Sequence, residues 1–286
     1  MIADKLQKFI FEGCPVKGSL VHLHASWQDV FSNAGPPSEF RHLLAEAVCS
    51  AVLLTSNIKF KGSVSLQIQS EGRVSLVLGQ CTDLRKIRGI LRTREAGDRI
   101  PLKNPILSIN LEPSDGGHPY QGIVAFPEGD VAGALEEYFS RSEQLDTRIW
   151  LAVGEQCCCG LMLQKLPGQR IDADSWNRVT ALGSTVSDEE LLDLDARILL
   201  RKLFFEENIR LFDPEPVQFG CQCSKEKVGQ MLRGLGEEEA SSIIEEEGEI
   251  EVRCEYCGQT YLFDRVDTAQ LFVAEDHIFA KPFVDQ

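Results

Sequence analysis

Two stretches of this chain carry residues that do chemistry. FGCQCS at 219–224 places Cys221 and Cys223 one residue apart, and RCEYCG at 253–258 places Cys254 and Cys257 two residues apart. Cysteine thiolates are the donors of structural zinc sites, which close four sulfurs around Zn²⁺ at about 2.3 Å each. In an extended C-x-C segment both side chains leave the same face, with α-carbons about 6.6 Å apart, so both sulfurs reach one metal. That spacing also lies near the upper limit for a disulfide, roughly 4.4 to 6.8 Å, so a Cys221–Cys223 bond is strained and readily reduced. The C-x2-C pair is the commoner zinc-knuckle half, with Gly258 suited to its tight turn. Lys225, Lys227, Arg253 and Arg265 lie close in sequence and are expected to offset the charge of four thiolates.

Three chemistries remain open for such a constellation. One is a structural zinc module, either a purely structural site or a zinc ribbon that binds nucleic acid. The charge argues against that partner: 29 Lys and Arg against 44 Asp and Glu leave −15, whereas phosphate binding needs a positive surface. Another is a thiol-disulfide oxidoreductase using Cys254 and Cys257. Such enzymes set the first cysteine at a helix N-terminus, while RCEYCGQTYLFD reads as a turn followed by a strand. The third is a redox switch in which the metal ligands themselves are oxidised.

The other six cysteines read as small buried hydrophobes. Cys14, Cys49 and Cys81 are isolated, and Cys157, Cys158 and Cys159 open a strand whose neighbours point to opposite faces, so the triplet does not chelate one ion. His22 and His24 are expected on one strand face in a structural role. Ser26 and Ser63 lack a nucleophile elbow, and neither a P-loop nor G-x-G-x-x-G is present, so nothing points to hydrolysis or nucleotide use. No stretch is long and apolar enough for a membrane span or signal peptide, and ten cysteines without such a leader suit a reducing cytoplasm where standing disulfides are rare.

The elements that must position these residues are mixed. LVHLHASWQDVF alternates as a strand, and FRHLLAEAVCSAVLLTSNIKF has helical spacing from Leu43 to Ile58. VSLQIQ and VSLVLG form a hairpin around SEGR, with Gly72 expected at positive φ. A Pro- and Gly-rich loop at 96–119 precedes a strand, YQGIVAF, and a helix from Val131 to Ser142. TRIWLAVG and CCGLMLQKL make two more strands joined near Glu155. Ser187 and Glu190 fit a capping box opening one apolar helix over 188–212, ended by Pro214 and Pro216. The expected fold is α+β: a mixed core at 1–180 with antiparallel hairpins, a helical linker at 181–217, and a zinc-binding unit at 218–286. A unit of roughly 70 residues needs such a staple.

FGCQCSKEKV, LGEEEASSIIEEEGEIEV and RCEYCGQTYLFD, with SVSLQIQSEGRVSLVLGQCTD, SEQLDT and LLRKLFFEENIRLF, together resemble the redox-regulated 33 kDa chaperonin family of bacteria. The resemblance covers nearly the whole chain. It implies an ATP-independent holdase rather than an enzyme, silent while reduced and zinc-bound, that captures unfolding client proteins after oxidation. It implies one Zn²⁺ per chain on Cys221, Cys223, Cys254 and Cys257, a metastable linker, and a homodimer when active. It also implies that the 254–257 pair senses oxidant and the 221–223 pair senses unfolding.

Overall fold

The structure, a computed structural model, describes residues 3–57, 61–94, 100–126, 129–166 and 173–272. It divides into two compact units, Met1–Cys221 and Gln222–Gln286.

The first unit is built on two six-stranded sheets. One sheet holds β1 (Lys5–Phe11), β2 (Val16–Leu23), β8 (Thr147–Val153), β9 (Cys158–Lys165) and β10 (Ile209–Leu211) in the order β10-β1-β2-β9-β8, with β11 (Glu215–Pro216) also pairing β1. The other runs β12-β5-β4-β3-β6-β7 through β3 (Gly62–Gln69), β4 (Val74–Thr82), β5 (Lys86–Thr93), β6 (Ile106–Pro113), β7 (Tyr120–Ala125) and β12 (Gln218–Phe219). All pairings are antiparallel except β12 with β5.

Helix α1 (Ala25–Ala34) follows β2, and α2 (Arg41–Thr55) packs against strands of both sheets. From Leu43 to Thr55 every α2 residue except Glu46 is buried. A helix apolar on all sides is one surrounded by protein. The approach to β4 is close enough to require glycine: a Cβ on Gly79 would lie 2.4 Å from the Ala47 carbonyl carbon. Glu46 is pushed up to about 7, first by burial and then by the Asp130 carboxylate. Asp130 caps α3 (Val131–Tyr138), accepting from Gly133 N at 3.0 Å.

The other face of the first sheet is covered by three helices, α4 (Ala173–Gly183), α5 (Asp188–Asp193) and α6 (Ala196–Leu203). Leu191, Leu199, Leu200, Leu203 and Phe204 bury there against Phe9, Leu20, Leu161 and Leu163. The capping box is present at α5: Ser187 Oγ accepts from Glu190 N, and the Glu190 carboxylate accepts from Ser187 N. Two polar contacts pin these helices. His22 Nε2 and the Leu191 carbonyl are 3.1 Å apart, and Lys5 Nζ lies 2.7 Å from Asp195.

Several expectations give way. The single helix over 188–212 is two short helices and a strand. Asp195 supplies the break, its carboxylate accepting from Arg197 N at 3.0 Å as the cap of α6. This resolves the excess of apolar residues, because separate short pieces present more than one face. Helix α6 ends at Leu203, well before Pro214, and Pro216 stands in β11, opposite Lys5. The strand through His22 stops at Leu23; ASWQDVFSNA is helical, and His24 precedes α1 rather than sharing a strand face with His22. Asp4 fixes that turn, accepting from Ser26 N at 2.7 Å and from His24 N. Strand β6 lies inside the expected 96–119 loop; residues 95–99 and Ile58 fall outside the described residues. Gly72 is absent from the positive-φ glycines; a Cβ there would sit 2.6 Å from the Pro101 carbonyl, so close approach is its reason. Gln218 and Phe219 pair with Lys86 and Ile87 of the first unit rather than opening the small one.

The second unit contains α7 (Lys225–Leu235), α8 (Glu237–Glu247), a hairpin of β13 (Ile250–Arg253) and β14 (Thr260–Phe263), and α9 (Arg265–Phe272). Among its described residues the buried apolar core is Leu232, Ala240, Ile244, Ile250 and Phe263. Among the described residues no helix is long and apolar enough to cross a membrane.

Candidate metal centre

Cys221 and Cys223 stand in the segment between β12 and α7. The division between the units falls at the Cys221–Gln222 peptide bond, so Cys221 is joined directly to the start of the small unit. Ser224 follows as the cap of α7, its hydroxyl accepting from Lys227 N at 3.3 Å, which fixes where the C-x-C segment ends and the helix begins. Cys254 and Cys257 occupy the turn of the β13–β14 hairpin. Cys254 N donates to the Gln259 carbonyl and Gly258 N to the Cys254 carbonyl, both at 2.8 Å, and Gly258 takes φ 69°, a left-handed conformation that glycine adopts without strain. The turn-then-strand reading of RCEYCGQTYLFD matches this hairpin, and Cys254 does not sit at a helix N-terminus.

The four sulfurs converge. Their Sγ atoms all lie within 4.8 Å of one another, and Cys223 and Cys257 are 3.4 Å apart. Four sulfurs at zinc–thiolate distance on a tetrahedron are about 3.8 Å apart, so the donor set fits a closed tetrahedral site by chemistry and by span. Each cysteine is half-buried. None of the ten cysteines is joined in a disulfide.

Tyr261, four residues after Cys257, was not singled out in the sequence. Its hydroxyl donates to Cys223 Sγ at 3.1 Å. That bond to sulfur, ahead of burial, pushes the phenol up to about 12, so it stays a donor at neutral pH. The signal for it lay in strand alternation after Gly258, which sets Tyr261 and Phe263 on one side. The expected cationic support is differently arranged. Lys225 lies 2.7 Å from Asp267 and over the Phe263 ring, joining α7 to α9, and Lys227, Arg253 and Arg265 are exposed.

The remaining candidates stay apart from this centre. Cys158 and Cys159 face opposite sides of β9, in the two different cores of the first unit. His22 is buried against α5. Among the described residues Cys221, Cys223, Cys254 and Cys257 are the one group with metal-ligand geometry.

Comparison with known proteins places this geometry in context. The family model described as Hsp33 protein matches residues 4–264. The 33 kDa chaperonin of Methylobacillus flagellatus is 42% identical over 281 residues, covering 96% of each chain, and that of Nitrosococcus oceani is 44% identical over 276 residues, covering 95% of each. The fold matches the crystal structure of the 33 kDa chaperonin of Thermotoga maritima with a TM-score of 0.80 at 18% identity, over 94% of this chain and 97% of the other. A half-buried four-thiol cluster on a small α+β unit, joined to a two-sheet unit and matched along nearly its whole length, makes this chain a member of the Hsp33 family.

Proposed function

We propose that the chain is a redox-regulated, ATP-independent holdase of the cytoplasm, and not an enzyme, with Cys221, Cys223, Cys254 and Cys257 as the ligands of one Zn²⁺ in the reduced state. The observation that carries this reading is the convergence of four sulfurs beside a small apolar core, five residues among those described. Bound zinc supplies the closure that such a core lacks; in small domains it contributes about 10 to 16 kcal/mol of apparent binding free energy. The protein's own part is to hold four thiolates together, with Tyr261 orienting Cys223.

Oxidation by a peroxide removes this donor set. Each pair, 221–223 and 254–257, gives up two electrons to one peroxide, the two sulfurs join, and the peroxide oxygens leave as water. The small unit, Gln222–Gln286, then has too little core to stay folded. The linker at 181–217 is its neighbour in sequence, and the surface offered to clients is the apolar side that α5 and α6 cover on the first sheet. Ile198, Phe205 and Phe212 already stand exposed on that segment. Unfolded polypeptides are the partners, nucleic acid and membranes are not, and the active form is a homodimer.

The test is zinc content and suppression of client aggregation, measured together on reduced and on peroxide-treated protein. One zinc per chain with silence in the reduced form, and zinc loss with activity in the oxidised form, is the expected result. Equal activity in both states removes the switch.

A further inference from the structure

The first unit buries a second pair of thiols that the zinc chemistry does not use. Cys49 is in the middle of α2 and Cys158 at the start of β9, 1% and 0% exposed, in the same core. After burial itself, the Cys49 side chain is the neighbour that acts most strongly on the Cys158 thiol.

Their placement belongs to a repeating match between helix and strand. Four residues along α2, Leu53 Cδ1 lies 2.9 Å from where a Cβ on Gly160 would stand. Four further, just past the helix, Asn57 Nδ2 lies 3.8 Å from Met162 Sδ. The partners are 49 with 158, 53 with 160, and 57 with 162. Four helical residues rise about 6.0 Å and two strand residues about 6.6 Å, so α2 and β9 run side by side in step. The same step places Cys49 opposite Cys158 in one core, so their proximity is set by the packing of two whole elements, and glycine at 160 lets them come close.

We infer that Cys49 and Cys158 are a second oxidisable dithiol, which closes to a disulfide when a peroxide meets a loosened but still native-like core. One thiolate attacks the peroxide to give a sulfenic acid and water. The second thiolate attacks that sulfur and expels the oxygen as a second water, so two thiols and one peroxide give one disulfide and two waters. In the closed core the reaction does not start: both groups are shielded, and burial holds the Cys158 thiol well above its ordinary range, so it stays protonated. Heat or mild denaturant opens access before it separates the elements. The product staples α2 to the first sheet and closes a loop of about 110 residues, which restricts the unfolded chain. The two-sheet unit is thereby held together under combined oxidant and heat.

This inference is independent of the zinc reading, and its readout lies on different peptides. The full-length protein is treated with hydrogen peroxide, at low temperature and with heat. Remaining thiols are blocked with light N-ethylmaleimide in denaturant, disulfides are reduced and labelled with heavy reagent, and a parallel unreduced digest is searched for cross-linked peptides. Cys49 and Cys158 should carry light label after cold peroxide and heavy label after peroxide with heat, with the 49–158 cross-link dominant among the six cysteines outside the metal centre. Light label on both after heat overturns the inference. So does scrambled pairing, in which 49 joins 158 no more often than any other of the six. In Cys49→Ala the oxidised two-sheet unit should lose the gain in unfolding midpoint that oxidised wild type shows over reduced. An unchanged gain also overturns it, and if that variant does not fold, the label map of the wild type decides alone.

Discussion

The two units of this chain are stabilised by different means. The first holds α2 between two sheets and three further helices on an outer face, and Trp27, Leu44, Val48, Leu66 and Leu161 are completely buried. The second, among its described residues, buries five apolar side chains in its core, and four sulfurs converge at its start and in its hairpin turn. At about 25 cal/mol per Å², five buried side chains contribute little beyond the conformational entropy of the residues they order. Apolar burial is insensitive to oxidants, whereas thiolate ligation ends when sulfur is oxidised. Regulation is therefore placed where the stabilising groups are themselves reactive.

The largest expected effect breaks this contrast directly. Chelation of the metal, or Cys254→Ser, should unfold the small unit, since it forfeits most of the about 10 to 16 kcal/mol that zinc contributes to such domains, and leave the two-sheet unit intact. Ser at Cys14, Cys81 or Cys157 should leave the metal in place. Hydrogen exchange resolved by segment measures this, and continued protection of α7 to α9 after chelation would contradict it. The converse is Gly79→Val, which drives a side chain into the α2 backbone. Overpacking costs about 1 to 3 kcal/mol and more against backbone. The midpoint of the first unit should fall while zinc stoichiometry stays at one; a loss of both would mean that the units are not separately stabilised.

What the sequence made legible follows the same divide. The four cysteines and the turn at Gly258 were readable because local spacing fixes them, and the capping box at Ser187 because it spans one helical turn. Hairpins such as β3–β4 and β8–β9 declared themselves by alternation. The break at Asp195 did not: an aspartate inside an apolar helical pattern reads as a solvated face until its pairing with Lys5, 190 residues away, is known. Strand β6 was hidden because its alternating Leu107, Ile109 and Leu111 sit between Pro- and Gly-rich flanks. Tyr261 was missed because its role depends on Cys223, which only the closed site brings near.

Within the small unit the comparison sharpens at Tyr261. Tyr261→Phe keeps the ring and removes the hydroxyl that donates to Cys223 Sγ at 3.1 Å. Losing such an outer-shell bond typically weakens metal binding about 10- to 100-fold. Competition with a chromogenic chelator should show this at unchanged stoichiometry, and the reduced variant should release its metal at lower peroxide. An affinity equal to wild type would assign the contact no role in holding the ligand.

The smallest effect concerns the segment that covers the first sheet. His22, opposite Lys5 on β1 and Cys159 on β9, meets the Leu191 carbonyl on α5, with Asp195 of α6 nearby. Its Nδ1 is buried without a partner. Burial first, with Lys5 assisting against the Leu191 and Asp195 contributions, lowers its proton affinity below the ordinary imidazole value of 6.5. The unfolded chain therefore binds the proton more tightly than the folded one. The stability linked to His22 is complete above about pH 6.5 and declines as pH falls below it, by at most about 1.4 kcal/mol per pH unit until the folded value is reached. Glu46 acts with the opposite sign in the same unit, because its raised value favours the folded state at lower pH. A global midpoint mixes the two, so the readout must be local. Hydrogen exchange of α5 and α6 amides should speed up between pH 7 and 5.5 relative to intrinsic rates. His22→Gln keeps a donor for Leu191 without titrating, and should flatten that dependence. The same slope in the variant would mean that another group holds α5 and α6 in place.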